Sequence, residues 1–336
     1  MTYAYGSLNL GGVNRIGSMS NAHLIYTAAD GSYALQAQVL VRSLVLTQNK
    51  PTVVKIFGNG WSESELKRLE SVTSDMVQAQ VLPVRDESFA DVKLESGFPL
   101  ATAYNILAPV HLLQESGRAL YLDADMVVVE DLEPLFHLTM KYAVGAVLDA
   151  HVAVIGAPSM WRPWREEGID PLTPYLNTGT LLIDLDRWRE ERVTQLTLGY
   201  LAKYQLPCVD QDAINLVLRG KFDCLEPRYN AMPYHLLTMF RNVDLVESDV
   251  AIGRAINEPA IVHYHRSFFG KPWTYGATHP GTKLWRQLAS DVNPKWRRSF
   301  DSFNYLRGKG ARFAKMTKTD KRMIQLTKAS LRKKGS

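Results

Sequence analysis

Only two cysteines, Cys208 and Cys224, occur in 336 residues. Neither sits in the close Cys/His spacing that builds a zinc or redox centre, so both read as plain core or surface thiols. No apolar run approaches the roughly 18 residues that a membrane-spanning helix needs. The N-terminus, Met1 to Ala22, lacks the basic-then-apolar layout of a secretory signal. Together these absences lead to the expectation of a cytoplasmic protein. There is no internal repeat and no low-complexity block. A hydrophobic content of 46% and a charged content of 22% are those of a globular chain, which excludes wholesale disorder. The length suits one large domain or two smaller ones.

Negative charge is scarce at one end. From Lys295 to Ser336 fourteen Lys or Arg face only Asp301 and Asp320, a local net of +12 that leaves −7 on the preceding residues against a whole-chain +5. Two readings of this basic amphipathic stretch stand side by side. It is a solvated helical extension, or it attaches to an anionic membrane surface, with basic residues each adding about 1 kcal/mol and aromatics such as Trp296, Phe300 and Phe303 entering the interface. The second reading would place the protein peripherally on the inner face of the membrane. Nucleic acid is disfavoured as a partner, because no recognition motif accompanies the charge.

Residues 1–20, rich in Gly, Ser and Asn, read as a flexible leader. A strand at His23–Ala29 ends in Asp30-Gly-Ser-Tyr33, a turn or helix cap, and Ala34–Gln48 carries Leu35, Val39, Leu40, Leu44 and Val45 at helical spacing. Strand signals follow at Thr52–Gly58 and Met76–Val84, with a helix at Glu63–Val72 between them. A polar loop runs to about Gly97, and a helix at Thr102–Gln114 precedes the next strand. Strands alternating with helices of this length predict an α/β fold: a mostly parallel sheet with helices on both faces. Beyond it come strands at Tyr142–Leu148, Tyr175–Leu185 and Ala260–Tyr264, and helices at Leu185–Tyr204 and Asp210–Arg219. The domain division is a leader 1–20, an α/β domain 21–290 and a basic tail 291–336.

Within Ala119-Leu-Tyr-Leu-Asp-Ala-Asp-Met-Val-Val-Val129, two acids interrupt an apolar run. Carboxylates are among the residues least often fully buried unless paired or bound to metal. In an extended backbone residues i and i+2 point the same way, so Asp123 and Asp125 project together and could grip a divalent cation, and through it a diphosphate. The competing reading is a strand-to-turn junction where Asp merely solvates the chain end. In open α/β sheets ligands bind beyond the carboxyl ends of the strands, and Asp30, Asp123 and Asp125 all fall there.

Further clusters follow. Asn177-Thr-Gly179 places small polar residues inside a strand. Asp210-Gln-Asp212 opens a helix, where acids favour the positive end of the dipole by about 0.3–1 kcal/mol, so capping alone would explain them. Last comes Ile261-Val-His-Tyr-His-Arg-Ser-Phe-Phe-Gly-Lys-Pro-Trp273, a strand ending in histidine followed by a Gly-Lys turn. Imidazole is a good transition-metal ligand, glycine permits close backbone approach and lysine offers a point charge for phosphate.

In this order and spacing the clusters resemble glycosyltransferase family 8, the group of glycogenin and the bacterial lipooligosaccharide galactosyltransferases. The resemblance covers about His23 to Trp273. It implies a GT-A-like fold with one Rossmann-like nucleotide-binding sheet, and a retaining transferase that moves a hexose from a UDP-sugar to a glycan or lipid-linked saccharide. Carried over by position, Ala28, Asp30 and Tyr33 match the segment holding uracil and ribose. Asp123 and Asp125 match the metal pair with His263 as third ligand, and Gly270 and Lys271 match the diphosphate-binding turn. Asn177, Asp210 and Gln211 match residues around the donor sugar and reacting face. Asp149 either faces the sugars too or is an ordinary turn residue.

The family's lysine often falls six residues after its histidine, a spacing that fits His265, whereas the apolar strand favours His263. Asn105 stands where many relatives carry an arginine. Two carboxylates, one imidazole and two phosphate oxygens suit Mn²⁺ ahead of Mg²⁺. Since only Asp210 and Gln211 are candidate nucleophiles and an amide is a poor one, the retention that the resemblance implies favours a front-face reaction in which the leaving phosphate takes the acceptor proton while Gln211 or Asp210 shields the positive ring. Two other functions fit the same residues: a glycogenin-like primer that glucosylates itself, and a catalytically silent nucleotide-sugar or membrane-binding protein.

Overall fold

The computed structural model describes residues 21–84, 115–157, 163–235, 249–265 and 269–296. The leader, the helix expected at 102–114 with Asn105, and the tail from 297 onward lie outside the described residues. Among the described residues the central sheet has seven strands: β1 (His23–Ala28), β2 (Thr52–Phe57), β3 (Val77–Leu82), β4 (Arg118–Leu122), β6 (Val144–Leu148), β7 (Leu176–Asp184) and β8 (Asp223–Cys224), in the order β3-β2-β1-β4-β7-β6-β8. Two further strands, β5 (Met126–Val128) and β9 (Ile261–His263), form a small antiparallel sheet of their own.

The half from β3 to β4 is parallel, as the alternating pattern predicts. β7 then runs against both of its neighbours, β4 and β6. The inner strands β1, β4, β6 and β7 are buried on both faces. Ile25, Val54, Ile56, Leu120 and Leu122 meet Leu40 and Leu44 of the helix Ala34–Thr47 and Trp285 of the helix Thr282–Val292. Tyr26, Phe57, Tyr121, Leu181 and Ile183 face the opposite way, toward Trp188 and toward Ala213 and Ile214 of the helix Val209–Leu218. Each fully buried side chain of this kind contributes on the order of 1.5–3 kcal/mol. This double burial is why the strands read as continuous apolar runs without alternation.

Two expectations are corrected. The single helix expected at Leu185–Tyr204 is two, Leu185–Glu190 and Val193–Lys203, separated where Arg192 takes a left-handed conformation at φ 56°. Trp188 spans the break, its Nε1–H donating to Thr194 Oγ1 at 2.8 Å. The apolar run around Asp123 is likewise not one strand. Met126 N donates to Asp123 O at 3.2 Å, closing a turn that ends β4 and sends β5 into the second sheet. The two acids therefore share a side through a turn and not through the pleat of a strand.

The helix Val209–Leu218 starts under strain. Val209, a β-branched residue, has φ 21°, a conformation that persists only where surrounding contacts impose it. Asp212 supplies such contacts: it accepts from Cys208 N at 2.7 Å and from the Tyr175 hydroxyl at 2.6 Å, wholly buried. Of the two acids that flank Gln211, Asp212 is thus the structural cap.

Candidate active site

The turn after β4 and the end of β9 meet because the small sheet pairs Met126 with His263. His263 is buried, and its Nε2 lies 3.5 Å from Asp123 Oδ2 and 3.2 Å from Asp125 Oδ1. One ligating atom from each of these three residues falls within 4.8 Å of the other two. His265 does not join them. Its ring sits 5.4 Å from that of His263 and leans on Tyr234. Burial, and then the neighbouring His263, push its basicity down.

Charge within the cluster is unevenly shared. Burial and then the Asp125 charge push the Asp123 carboxyl up. Burial also acts to raise Asp125, but Lys271 and His263 outweigh it and hold this carboxyl well below the usual carboxylate range. Lys271 Nζ pairs directly with Asp125 Oδ2. Its turn is made by Gly270, whose φ of 70° a larger residue would adopt only at a cost. Tyr121 is buried, which raises its hydroxyl well above the usual tyrosine range, so it stays protonated and donates to Asp123 Oδ1 at 2.7 Å.

Close backbone approach is built in. Asp123 N donates to Gly179 O at 2.9 Å. A Cβ on Gly179 would lie 2.6 Å from His263 Cε1 and 2.8 Å from Met126 Cε, so only glycine lets β7 pass beneath the imidazole.

A second group of polar side chains adjoins this one across Gly179. Asp149, at the end of β6, is buried, and its Oδ1 accepts from His151 N and Val152 N, both at 2.9 Å. Its Oδ2 takes Asn177 Nδ2 at 2.9 Å and Gln211 Nε2 at 3.0 Å. Gln211 Oε1 in turn accepts from Asn177 Nδ2 at 3.0 Å, and Asp210 Oδ2 accepts from Thr178 Oγ1 at 3.1 Å. Asn177 Oδ1 accepts from Gly179 N at 3.0 Å and from Asn230 Nδ2 at 2.8 Å, and Asn230 Oδ1 meets His263 Nδ1 at 2.8 Å. Sequence reasoning missed Asn230 and Thr178 and left Asp149 undecided. All three act across long sequence separations, which no local pattern records.

On the β1 side, Ala28 is the last residue of the strand. Asp30 caps the short turn Gly31–Tyr33, accepting from Ser32 N at 2.8 Å and from its hydroxyl at 2.5 Å. Tyr33 packs edge-on against Trp273 with ring centroids 6.0 Å apart. Burial raises its hydroxyl, while Lys271 draws it back. Two Gly-carrying loops press together here: a Cβ on Gly31 would overlap Gly60 O, and one on Gly58 would overlap Ala29 O.

The sequence pattern of Glycosyl transferase family 8 matches residues 24–277. The chain belongs to glycosyl transferase family 8. The transferase is 28% identical over 265 residues to General stress protein A of Bacillus subtilis, spanning 76% of this chain and 89% of that one. It is 22% identical to the Lipopolysaccharide 1,3-galactosyltransferase of Salmonella typhimurium, over 80% of this chain and 77% of the other. In three dimensions it is similar to galactosyltransferase LgtC, solved with donor and acceptor sugar analogs, at a TM-score of 0.67 and 22% identity over 81% of this chain and 98% of that one. The apo bifunctional glycosyltransferase WbbM superimposes with a TM-score of 0.71 at 17% identity, over 86% of this chain and 52% of WbbM. The transferase has the GT-A fold.

The donor set fits a divalent cation. Two carboxylates and an imidazole converge, and the ammonium of Lys271 already answers their negative charge. The imidazole presents Nε2 to the acids while Nδ1 is occupied elsewhere, as a ligating histidine requires.

Proposed function

We propose that this transferase moves a hexose from a UDP-sugar to a saccharide acceptor, glycan or lipid-linked, with retention at the anomeric carbon. The observation that carries this reading is the convergence of Asp123, Asp125 and His263 beside Lys271 at the carboxyl end of the sheet. Relatives named for lipopolysaccharide glucosyl and galactosyl transfer support the hexose and the saccharide acceptor.

Asp123, Asp125 and His263 would hold Mn²⁺, preferred to Mg²⁺ because one ligand is an imidazole, and the bound ion would supply Lewis-acid stabilisation of the departing diphosphate. Lys271 adds a positive charge that counts more as the leaving group gains negative charge. Gly270 lets the backbone come close. Ala28, Asp30 and Tyr33, on the β1 side, bind the uridine.

Asn177, Gln211, Asp210 and Asp149 take the sugar side. Gln211 is fixed through both amide ends, so its Oε1 presents a partial negative charge without freedom to attack. Asp210 is buried and hydrogen-bonded to Thr178. An amide and a sequestered carboxylate are poor nucleophiles, which favours a front-face reaction in which these groups shield a positive sugar ring.

Release of UDP from a panel of UDP-hexoses tests the reading. The expected result is turnover in Mn²⁺, weaker turnover in Mg²⁺ and none in chelator. Full activity with Mg²⁺ alone would overturn the metal assignment. A glycosyl-Asp210 adduct in the intact mass would replace the front-face route by double displacement. A mass that grows in hexose steps during incubation with UDP-glucose would make the protein a self-glucosylating primer.

We also assign the basic segment from residue 295 to an anionic membrane surface. The charge of this segment supports the assignment; Trp296, expected at the interface, instead packs on Trp285 with ring centroids 5.4 Å apart and ties the start of the segment to the body. Deleting residues 307–336 is expected to abolish co-sedimentation with phosphatidylserine vesicles at physiological salt. Undiminished sedimentation refutes the assignment.

A further inference from the structure

We propose that Asn230 is a positioning residue that holds Nδ1 of His263, so that Nε2 is the atom offered to a cation, and couples the metal side of the site to the sugar side. The inference rests on the reading of His263 as a metal ligand, and the polarity of the hydrogen bonds carries it. Asn230 is wholly buried and lies at the end of the short turn Pro227–Asn230. The next residue is stapled to β9: Ala231 N donates to Ile261 O at 2.9 Å, and His263 N donates to Ala231 O at 3.1 Å.

Amide orientations and imidazole protons follow from their partners, and here the assignment propagates from two fixed ends. Gly179 N–H is a backbone donor, so the atom of Asn177 that it meets is the oxygen. Asp149, bound by two backbone N–H groups, is an acceptor, so the other atom of Asn177 is the nitrogen. An Asn177 oxygen obliges Asn230 to present its own nitrogen to it, which turns Asn230 Oδ1 toward His263. An oxygen there accepts only from a protonated Nδ1. With Nδ1–H committed to Asn230, Nε2 is the ring nitrogen left to face Asp123 and Asp125, and so the one available to a cation.

A small apolar residue at position 230 would lose that direction. With no acceptor on Nδ1, the ring is held from the carboxylate side alone and no longer has one nitrogen fixed toward them. The chain from Asp149 through Asn177 and Asn230 to His263 also ties the residue pair around Gln211 to the imidazole, so the two halves of the site shift together.

The test uses three proteins: wild type, Asn230→Leu and Asn230→Asp. Long-range ¹H–¹⁵N spectra of the metal-free protein at pH 9 report which nitrogen of His263 carries the proton. The expected result is a protonated Nδ1 in wild type and in Asn230→Asp, whose carboxylate still accepts, and loss of that proton in Asn230→Leu. Mn²⁺ titration followed by electron paramagnetic resonance is expected to show binding about 10–100-fold weaker in Asn230→Leu, with Asn230→Asp at wild-type affinity or tighter. An unprotonated Nδ1 in the wild type would overturn the inference and needs no variant. So would wild-type Mn²⁺ affinity in a folded Asn230→Leu. If wild type bound neither Mn²⁺ nor UDP, the functional reading would fall, and the tautomer spectra would still decide the role of Asn230.

Discussion

Asp125→Asn is expected to lower metal-dependent sugar transfer by about 10³-fold or more, since a Lewis acid contributes several kcal/mol to charge stabilisation and each 1.36 kcal/mol is a factor of ten. The substitution keeps shape and volume and removes one negative charge. That charge is the one most committed to a cation in this structure: Lys271 and His263 hold the Asp125 carboxyl far below its ordinary range against the opposing effect of burial. Asn offers a neutral oxygen in place of an anionic one, and Lys271 would be left beside an amide. Stability should change little, because two effects oppose each other. The Lys271 pair is lost, but Asp123 is relieved of a like charge that pushes its own carboxyl up. Steady-state kinetics with saturating Mn²⁺, alongside thermal unfolding of the metal-free protein, separate the two quantities. A variant that transfers sugar at more than about a tenth of the wild-type rate would remove Asp125 from the chemistry.

The first half of the architecture was legible because βα units announce themselves. A strand buried on both faces is an uninterrupted apolar run, and the helices between strands carry a regular stripe such as Leu40 and Leu44. The second half was less so. Direction leaves no trace in a doubly buried strand, so nothing in Leu176–Asp184 announces that β7 runs against both neighbours. Arg192 shows why the helix break escapes the sequence: it is left-handed where Trp188 reaches across to Thr194, and its side chain carries no glycine-like signal.

For the site, the acids are legible as a pair from an odd polarity in an apolar run, although a turn and not the pleat of a strand brings them to one side. The placing of the imidazole depends on a strand pairing between residues more than a hundred positions apart, Met126 and His263. Asn230 lies in a short irregular segment with no periodicity to interpret, and its importance comes entirely from what it touches. A buried polar side chain must find partners, yet the sequence does not say which ones.

Gly179→Ala is expected to damage the site by a different physical route from removal of a ligand. The added methyl carbon would fall 2.6 Å from His263 Cε1, 2.9 Å from His263 Nδ1 and 2.8 Å from Met126 Cε. Met126 ends in a flexible thioether and can turn aside. The imidazole cannot, because Asn230 holds its Nδ1 from one side and β9 fixes its backbone opposite Met126. Relief therefore requires the ring to tilt away from Asp123 and Asp125, or β7 to move and take Asn177 with it. Either shift displaces a ligating or sugar-facing group by the order of an ångström, a misplacement worth about 10²-fold in rate, and overpacking of this kind destabilises by about 1–3 kcal/mol. The distinguishing signature is a loss of Mn²⁺ affinity with both carboxylates intact, read by electron paramagnetic resonance beside the Asp125→Asn variant. Wild-type affinity and turnover in a folded Gly179→Ala protein would show that the imidazole is free to yield, and that its position is not set by the strand beneath it.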